Sequence, residues 1–495
     1  MQINLNREKP TCNCGVFGIF GSKNASLETY YGLHALQHRG QEACGIITKS
    51  ISSKGNPVFT AHKGEGLVTE VFDDHEIFQK KLIGNVAIGH NRYSTTGSSE
   101  SLKNIQPFIV NYRLGNLAVA HNGNLTNARM IRDELVHEGA IFQTTSDTEV
   151  ILHLIARSRL EGQVEQVKEA IEKIEGAFSL VLMTDNKLVG ARDANGFRPL
   201  VIGKLNDAYI ITSETCAFDI LSAEFIREVE PGEIVVIDDE VLETGNIKSY
   251  RISELYEKQN HCIFEYIYFS RPDSFIFGHN VDKMRRRLGK VLAKNHPVFN
   301  ESDEKVIVIS VPDSSNTTAL GYQTELEKLG VNCKLEIGLI RSHYIGRTFI
   351  QPGQVNREIG VKIKFNTVKG VLEGRTIVIV DDSIVRGTTS KQLVKLIREA
   401  NPKSIHLRIS SSPITHPCYY GMDFPSKQEL IANNFNSNVK AIADYLGVDS
   451  LEYLTIDEML EAVSEAGKDN FCHACFSGEY PTKVDHNFKK EIYEI

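Results

Sequence analysis

Val378-Ile379-Val380-Asp381-Asp382-Ser383-Ile384-Val385-Arg386-Gly387-Thr388-Thr389-Ser390 joins two kinds of structure in one short run. The opening β-branched residues read as a buried strand. After Ser390, Leu393, Leu396, Ile397 and Ala400 fall on one face of a helix. Between strand and helix lie two adjacent carboxylates, a glycine and four hydroxyl residues. A Gly-Thr-Thr-Ser turn that opens a helix offers unpaired backbone N–H groups and hydroxyls to a phosphate. Asp381 and Asp382, just past the strand's C-terminal end, suit ribose hydroxyls or a magnesium ion, whose ligands are oxygens. The element thus combines a phosphate grip with a diol or metal grip. Competing nucleotide motifs, Gly-x4-Gly-Lys-Ser/Thr and Gly-x-Gly-x-x-Gly, are absent from the chain.

Cys14-Gly15-Val16-Phe17-Gly18-Ile19 starts an alternating apolar run after thirteen mostly polar residues. Those residues lack the apolar stretch of a secretory signal and read as a leader, residues 1–13, removed on maturation. Its removal would leave Cys14 with both a thiol and a free α-amine. An α-amine titrates near about 7.7–8.0 and can take the thiol proton at neutral pH. Nucleophile and base then share one residue. Cys12 stands two positions earlier, but only Cys14 precedes Gly-Val-Phe-Gly-Ile. A cysteine in a strand is by itself more often core than catalyst. Four further segments carry chemistry, however: Gln37-His-Arg-Gly-Gln-Glu42, Gly89-His-Asn-Arg-Tyr-Ser-Thr95, Ala120-His-Asn-Gly-Asn124 and Thr144-Thr-Ser-Asp-Thr-Glu149.

With the cysteine, these segments resemble the N-terminal-nucleophile glutamine amidotransferases over roughly the first half of the chain. The Val378–Ser390 run resembles the phosphoribosylpyrophosphate (PRPP) signature of the type I phosphoribosyltransferases. The first resemblance implies that Cys14 attacks the glutamine amide. Asn122 and the Gly123 N–H would form the oxyanion hole, in a turn where a small residue allows close approach. Arg92 would pair with the substrate carboxylate and Asp147 with its ammonium. The second resemblance implies PRPP binding by Asp381, Asp382, Ser383, Arg386, Gly387, Thr388, Thr389 and Ser390. Magnesium would be held by Asp381, Asp382 and Ser314, the last in the turn Val311-Pro-Asp-Ser-Ser315. Arg341-Ser-His-Tyr-Ile-Gly-Arg347 resembles the family's mobile loop, with Arg347 on pyrophosphate. There the chain departs from the usual Lys-Asn-Arg-Tyr, with His343 in place of a permanent cation.

At 495 residues there is room for two or three domains. Apolar content is 41%, with no run of 18 apolar residues, so no membrane span is expected. A net charge of −8 argues against a nucleic-acid binder. Lys283-Met-Arg-Arg-Arg287, the one cationic cluster noted, reads as a solvated helix face. Strands and helices alternate to about residue 235, and a polar stretch near 240–260 reads as a crossing segment. Parallel-sheet patterning follows at 305–310, 374–380 and 405–410, and a mostly helical end begins at Ser426. The domains expected are therefore 14–240 and 260–495.

Nine cysteines without a signal peptide suit a reducing, cytoplasmic setting. Cys44, Cys216 and Cys333 sit among apolar residues and read as core. Cys262, Cys418 and the Cys472-His-Ala-Cys475 pair could bind zinc or an iron–sulfur cluster. Taken whole, the chain resembles the glutamine PRPP amidotransferase family, in its leader-processed branch with a 4Fe–4S cluster. That resemblance implies a four-layer αββα N-terminal-nucleophile domain followed by an α/β type I phosphoribosyltransferase domain. It implies transfer of glutamine nitrogen to PRPP with Mg2+, control by purine nucleotides, and a homotetramer or homodimer. The apolar run Ile263–Phe269 would line an ammonia passage or form a buried strand. Two rivals differ in their second half or in activity. An asparagine or glucosamine-phosphate synthase would lack the PRPP run and favour an ATP-type Ser-Gly-Gly-x-Asp-Ser motif. A PRPP-sensing regulator would not need the nucleophile.

Overall fold

The computed structural model describes residues 14–93, 102–252, 258–299, 304–342, 364–424 and 426–484. The leader, Cys12, His343 and Arg347 lie outside them. Alternation decides the first half. In the strand Gly15–Phe20, Phe17 and Ile19 pack with the helix Ala25–Ala35, while Val16 and Phe20 face the opposite way. That second face meets Ala118, Ala120, Val181 and Met183 of another sheet. The outer face of the second sheet, with Leu117, Val119 and Leu182, is covered by helices Ala128–His137, Thr148–Arg157 and Gln163–Ile171. The result is the expected αββα sandwich, of a seven-stranded and a six-stranded sheet. The second sheet takes one more strand than expected: Lys248–Arg251 pairs with Glu233–Ile237, beyond residue 240.

In the second half five strands run parallel, in the order Cys333–Leu335, Val306–Ser310, Thr376–Asp381, Ser404–Ile409 and Ser450–Tyr453. Val306, Val308, Val378 and Val380 pack on one face with helix Val281–Asn295, and Ile307, Ile309, Ile377 and Ile379 on the other with helix Thr388–Arg398. This is the α/β domain the sequence predicts, with helices on both faces. The strand Ser450–Tyr453 interrupts the helical end expected from Ser426. Its four residues are too few to show a period, and the sheet edge supplies their structure.

Two readings near residue 270 need correction. Glu265–Phe269 is a π-helical turn rather than a strand. Arg285, placed on a solvated helix face, is 2% exposed. Its Nε donates to the Tyr266 carbonyl (2.8 Å) and its Nη2 to those of Tyr268 (2.7 Å) and Ser270 (2.8 Å). A turn of that kind leaves carbonyls without helical donors, and the guanidinium supplies them.

Burial presses the imidazoles of His90 and His261 down to about 3. Both stay neutral in the fold but take a proton near pH 6.5 once exposed. Below that pH the unfolded chain binds more protons, so stability falls as pH drops. The urea midpoint should fall between pH 7 and pH 5 as the unfolding free energy drops by at most about 1.4 kcal/mol per pH unit for each ring. His90→Gln should flatten that slope.

Candidate active sites

Cys14 is buried at the head of its strand. The neighbouring strand Val86–Arg92 runs antiparallel with Gly15 opposite Asn91, which brings Arg92 beside Cys14. The Cys14 thiol lies 3.5 Å from the Tyr93 carbonyl. Burial pushes that thiol up to about 11, and the Arg92 charge opposes the rise. A thiol at this value needs a base before it can attack.

Asn122 and Gly123 do not form the expected turn. They lie inside the strand Gly115–Leu125, opposite Ser179 and Phe178. Both polar atoms of the Asn122 amide are buried without a protein partner. A buried amide without a protein partner has hydrogen-bonding capacity left for a ligand or an ordered water. Gly123 has φ +151°, and an added Cβ would stand 2.0 Å from the Ala177 carbonyl oxygen. Only glycine fits there. Asp147 is buried at the start of helix Thr148–Arg157, where its Oδ2 accepts from the Leu125 N–H (3.0 Å). That bond ties it to the strand carrying Asn122 and Gly123.

Beneath Cys14 lies a charged cluster to which the sequence reading assigned no role. Arg39 Nε donates to the Cys14 carbonyl (3.2 Å), and its other nitrogens donate to Glu214 and Glu265. Burial alone would lower the Arg39 pKa, but Glu265 and Glu214 raise it above its ordinary value. Burial would likewise raise Glu214, and His38 and Arg39 hold it well below the usual carboxylate range. Arg39 stands in the Gln37–Glu42 segment, so its position was visible; its partners, more than 170 residues away, were not.

At the second site, the strand Thr376–Asp381 ends in Asp381, Asp382 and Ser383, all buried. The Asp381 carboxylate accepts from the Asp382 N–H (2.9 Å), and Ser383 Oγ donates to Asp382 (2.7 Å). Ser315, rather than Ser314, meets both carboxylates, at 3.2 Å from Asp381 and 3.5 Å from Asp382. Ser314 stands behind it, its hydroxyl 3.5 Å from that of Ser315. The helix starts at Thr388, three residues before the expected point, with Gly387 as its N-cap at φ +77°. A side chain at Gly387 would strike Ile431 at 2.4 Å. The Thr388 hydroxyl is buried without a protein partner, and Thr389 and Ser390 follow in the first turn. Arg386 turns aside to Glu429 (2.8 Å). Arg341, at the start of the expected mobile loop, pairs with Asp313 of the Val311–Ser315 turn (3.1 Å).

Cys262, Cys418, Cys472 and Cys475 all line one cavity, with Phe197, Phe264, Tyr420 and Met422 around them. Cys262 and Cys472 are register partners in a two-residue parallel ladder. All four are free thiols, and burial raises each of them. Among the described residues, no three histidine, cysteine or acidic groups are placed to hold one metal ion.

A glutamine amidotransferase domain family matches residues 90–219. The amidophosphoribosyltransferase of Bacillus subtilis is 47% identical over 475 residues, covering 95% of this chain and 94% of that one. The chloroplastic amidophosphoribosyltransferase 2 of Arabidopsis thaliana is 48% identical over 477 residues, covering 96% and 80%. The solved glutamine PRPP amidotransferase of B. subtilis, complexed with ADP and GMP, superposes with a TM-score of 0.85. Its identity is 46%, with 96% of this chain and 98% of that one covered.

Gly123→Ala should destabilise the fold by about 1–3 kcal/mol, the usual cost of overpacking. Chemical denaturation of the variant against the unmodified chain measures it.

Proposed function

The chain belongs to the amidophosphoribosyltransferases, and on that footing we propose how its residues divide the reaction between Cys14 and the Asp381–Asp382 turn. The reaction moves the amide nitrogen of glutamine to PRPP and yields 5-phosphoribosylamine, glutamate and pyrophosphate, at the first step of purine biosynthesis. One observation carries the assignment of the first half-reaction: the unsatisfied Asn122 amide on the strand that Asp147 grips at Leu125, with Asp147 and Arg92 both close enough to act on the Cys14 thiol.

Removal of residues 1–13 frees the α-amine of Cys14, which takes the thiol proton as sulfur adds to the glutamine amide carbon. Arg92 holds the substrate carboxylate and Asp147 its ammonium. The Asn122 amide and the Gly123 N–H stabilise the oxyanion. The adduct collapses to a thioester as the amine returns the proton to departing ammonia, and water then releases glutamate from Cys14. Ammonia in bulk water at neutral pH is mostly protonated and would be lost, so a dry route keeps it reactive. Within the stretch Ile263–Phe269, the buried side chains of Phe264, Tyr266, Ile267 and Phe269 are our candidates for its lining.

At the second site ammonia attacks C1 of PRPP as pyrophosphate leaves. The first turn of the helix, Gly387–Ser390, grips the ribose phosphate through N–H groups and hydroxyls. Asp381 and Asp382, with Ser383, orient the ribose. Arg386 would leave Glu429 to meet phosphate, and Arg347 would contact pyrophosphate. Asp381, Asp382 and the serines of the Val311–Ser315 turn form an all-oxygen donor set, which fits Mg2+. Bound there, magnesium would neutralise charge on the leaving pyrophosphate.

Cys262, Cys418, Cys472 and Cys475 are our candidate ligands of a 4Fe–4S cluster. Four buried thiols lining one cavity are the observation that supports this reading. When bound, such a cluster would clamp the C-terminal segment to the body. ADP and GMP on the B. subtilis enzyme support control by purine nucleotides here. Assembly as a homotetramer or homodimer, domains at 14–240 and 260–495, and a cytoplasmic location complete the proposal. The free cysteines among the described residues support a reducing setting. No helix among those residues is long and apolar enough to cross a membrane.

Cys14→Ala should abolish glutamine-dependent synthesis and leave synthesis from concentrated ammonia; loss of both would contradict the division. Asn122→Ala should lower glutamine hydrolysis on the order of 10²–10³-fold. Asp382→Ala should stop product formation from either nitrogen source, and an active variant would remove that residue from the PRPP site. Protein prepared without air should hold about four irons per chain with matching sulfide. Zinc in their place would overturn the cluster.

A further inference from the structure

Outside the groups already assigned, Glu265 is a buried carboxylate that links several segments of the chain. It belongs to the second half of the chain, and its side chain is fully buried. It accepts from Arg39 at Nη2 (2.9 Å) and Nη1 (3.1 Å), from Arg198 Nη1 (3.2 Å) and from Ser270 Oγ (2.6 Å). Each arginine also reaches a backbone carbonyl at the glutamine site. Arg39 Nε donates to Cys14 (3.2 Å), and Arg198 Nη2 donates to Tyr420 (2.7 Å). The Tyr420 segment backs the oxyanion strand: Asn124 donates to the Tyr419 carbonyl (2.9 Å). A Cβ at Gly421 would stand 3.1 Å from the carbonyl carbon of Gly123. One carboxylate therefore sits behind both the nucleophile and the strand expected to stabilise its oxyanion.

The other side of Glu265 is equally constrained. Its π-helical turn is held by Arg285 through the carbonyls of Tyr266, Tyr268 and Ser270. Arg39 and Arg198 are balanced by Glu214 and Glu265, all four without exposed side-chain surface. Loss of one negative charge would leave a buried cation to find a new arrangement. Arg39 would then turn toward Glu214, and its bond to the Cys14 carbonyl would be the least costly to give up.

We propose that Glu265 is a positioning residue for the glutamine half-reaction, holding Cys14 in place through Arg39 and the backing of Gly123 through Arg198. The proposal rests on Cys14 as nucleophile. It also means that the glutamine site is completed by a residue from the second half, so the first domain alone lacks part of its own catalytic support.

The test is the rate at which a diazoketone analogue of glutamine alkylates the leader-free, full-length enzyme, with the labelled peptide identified by mass. Glu265→Gln should slow labelling of Cys14 on the order of 10²-fold, the scale of a 1 Å misplacement, while ammonia-dependent synthesis stays unchanged. Glu265→Asp, which keeps the charge, should recover part of the rate. If Glu265→Gln does not fold, Ser270→Ala keeps every charge, removes one bond to the carboxylate and should show a smaller loss of the same selectivity. Labelling of Cys14 at the unmodified rate, or equal loss of ammonia-dependent synthesis in the folded variants, would overturn the positioning role. Label on a residue other than Cys14 in the unmodified enzyme would overturn the nucleophile assignment instead.

Discussion

Two arginines and two glutamates, Arg39, Arg198, Glu214 and Glu265, meet out of contact with water where the halves of the chain join. Burying four charges is favourable only if each finds its partner and its remaining hydrogen bonds. Here the carboxylates come from both halves, and serine hydroxyls and backbone groups complete the set: Ser274 and the Arg271 N–H on Glu214, Ser270 on Glu265. The junction therefore tolerates one arrangement. Sliding the halves past each other would expose or orphan at least one charge, which is a steeper penalty than any loss of apolar contact at the same surface. In the proposed reaction, a fixed junction would let two chemically unrelated sites share a short-lived, volatile intermediate.

The two sites use different strategies to stay ready for substrate. At Cys14 the protein holds a buried thiol beside Arg92, and leaves the Asn122 amide without a protein partner. In the proposed mechanism that cost is recovered when an oxyanion forms. At Asp381 and Asp382 the acids are instead kept occupied by local donors, the Asp382 N–H, Ser383 and Ser315. Adjacent carboxylates repel each other, and these small donors help to hold them in place. Sequence order explains the contrast. The glutamine site is assembled from strands distant along the chain, whereas the PRPP element is a single strand–turn–helix whose geometry is mostly local.

Much of both sites was legible from residue types. The αββα sandwich was implied by the resemblance of the first half to the N-terminal-nucleophile amidotransferases, and the parallel sheet followed from apolar runs separated by helices. Asp381 to Ser390 announced their chemistry because strand end, acids, glycine and hydroxyls are adjacent. Three local readings failed for the same reason. Asn122-Gly123 has the composition of a turn, yet it is held in a strand by Ser179 and Phe178 across the ladder. Ile263–Phe269 is apolar enough for a strand, yet Arg285 draws its carbonyls into a π-helical turn. Arg285 itself lies in a cationic run typical of a wet surface, and is buried because those carbonyls need a donor.

What the sequence determined alone was the chemistry available at each place: a thiol at Cys14, acids and a phosphate-binding turn at 381–390, and four cysteines able to bind metal. Residue type and short spacing carry that information, since hydrogen-bonding capacity and helix or strand period are local properties. Which groups meet was decided only by tertiary structure. The pairing of Arg39 with Glu265, the contact of Ser315 rather than Ser314 with the paired acids, and the opening of four separate cysteines onto one cavity each depend on register between distant strands. Register is set by burial of whole faces, a property of the assembled core that no short segment contains.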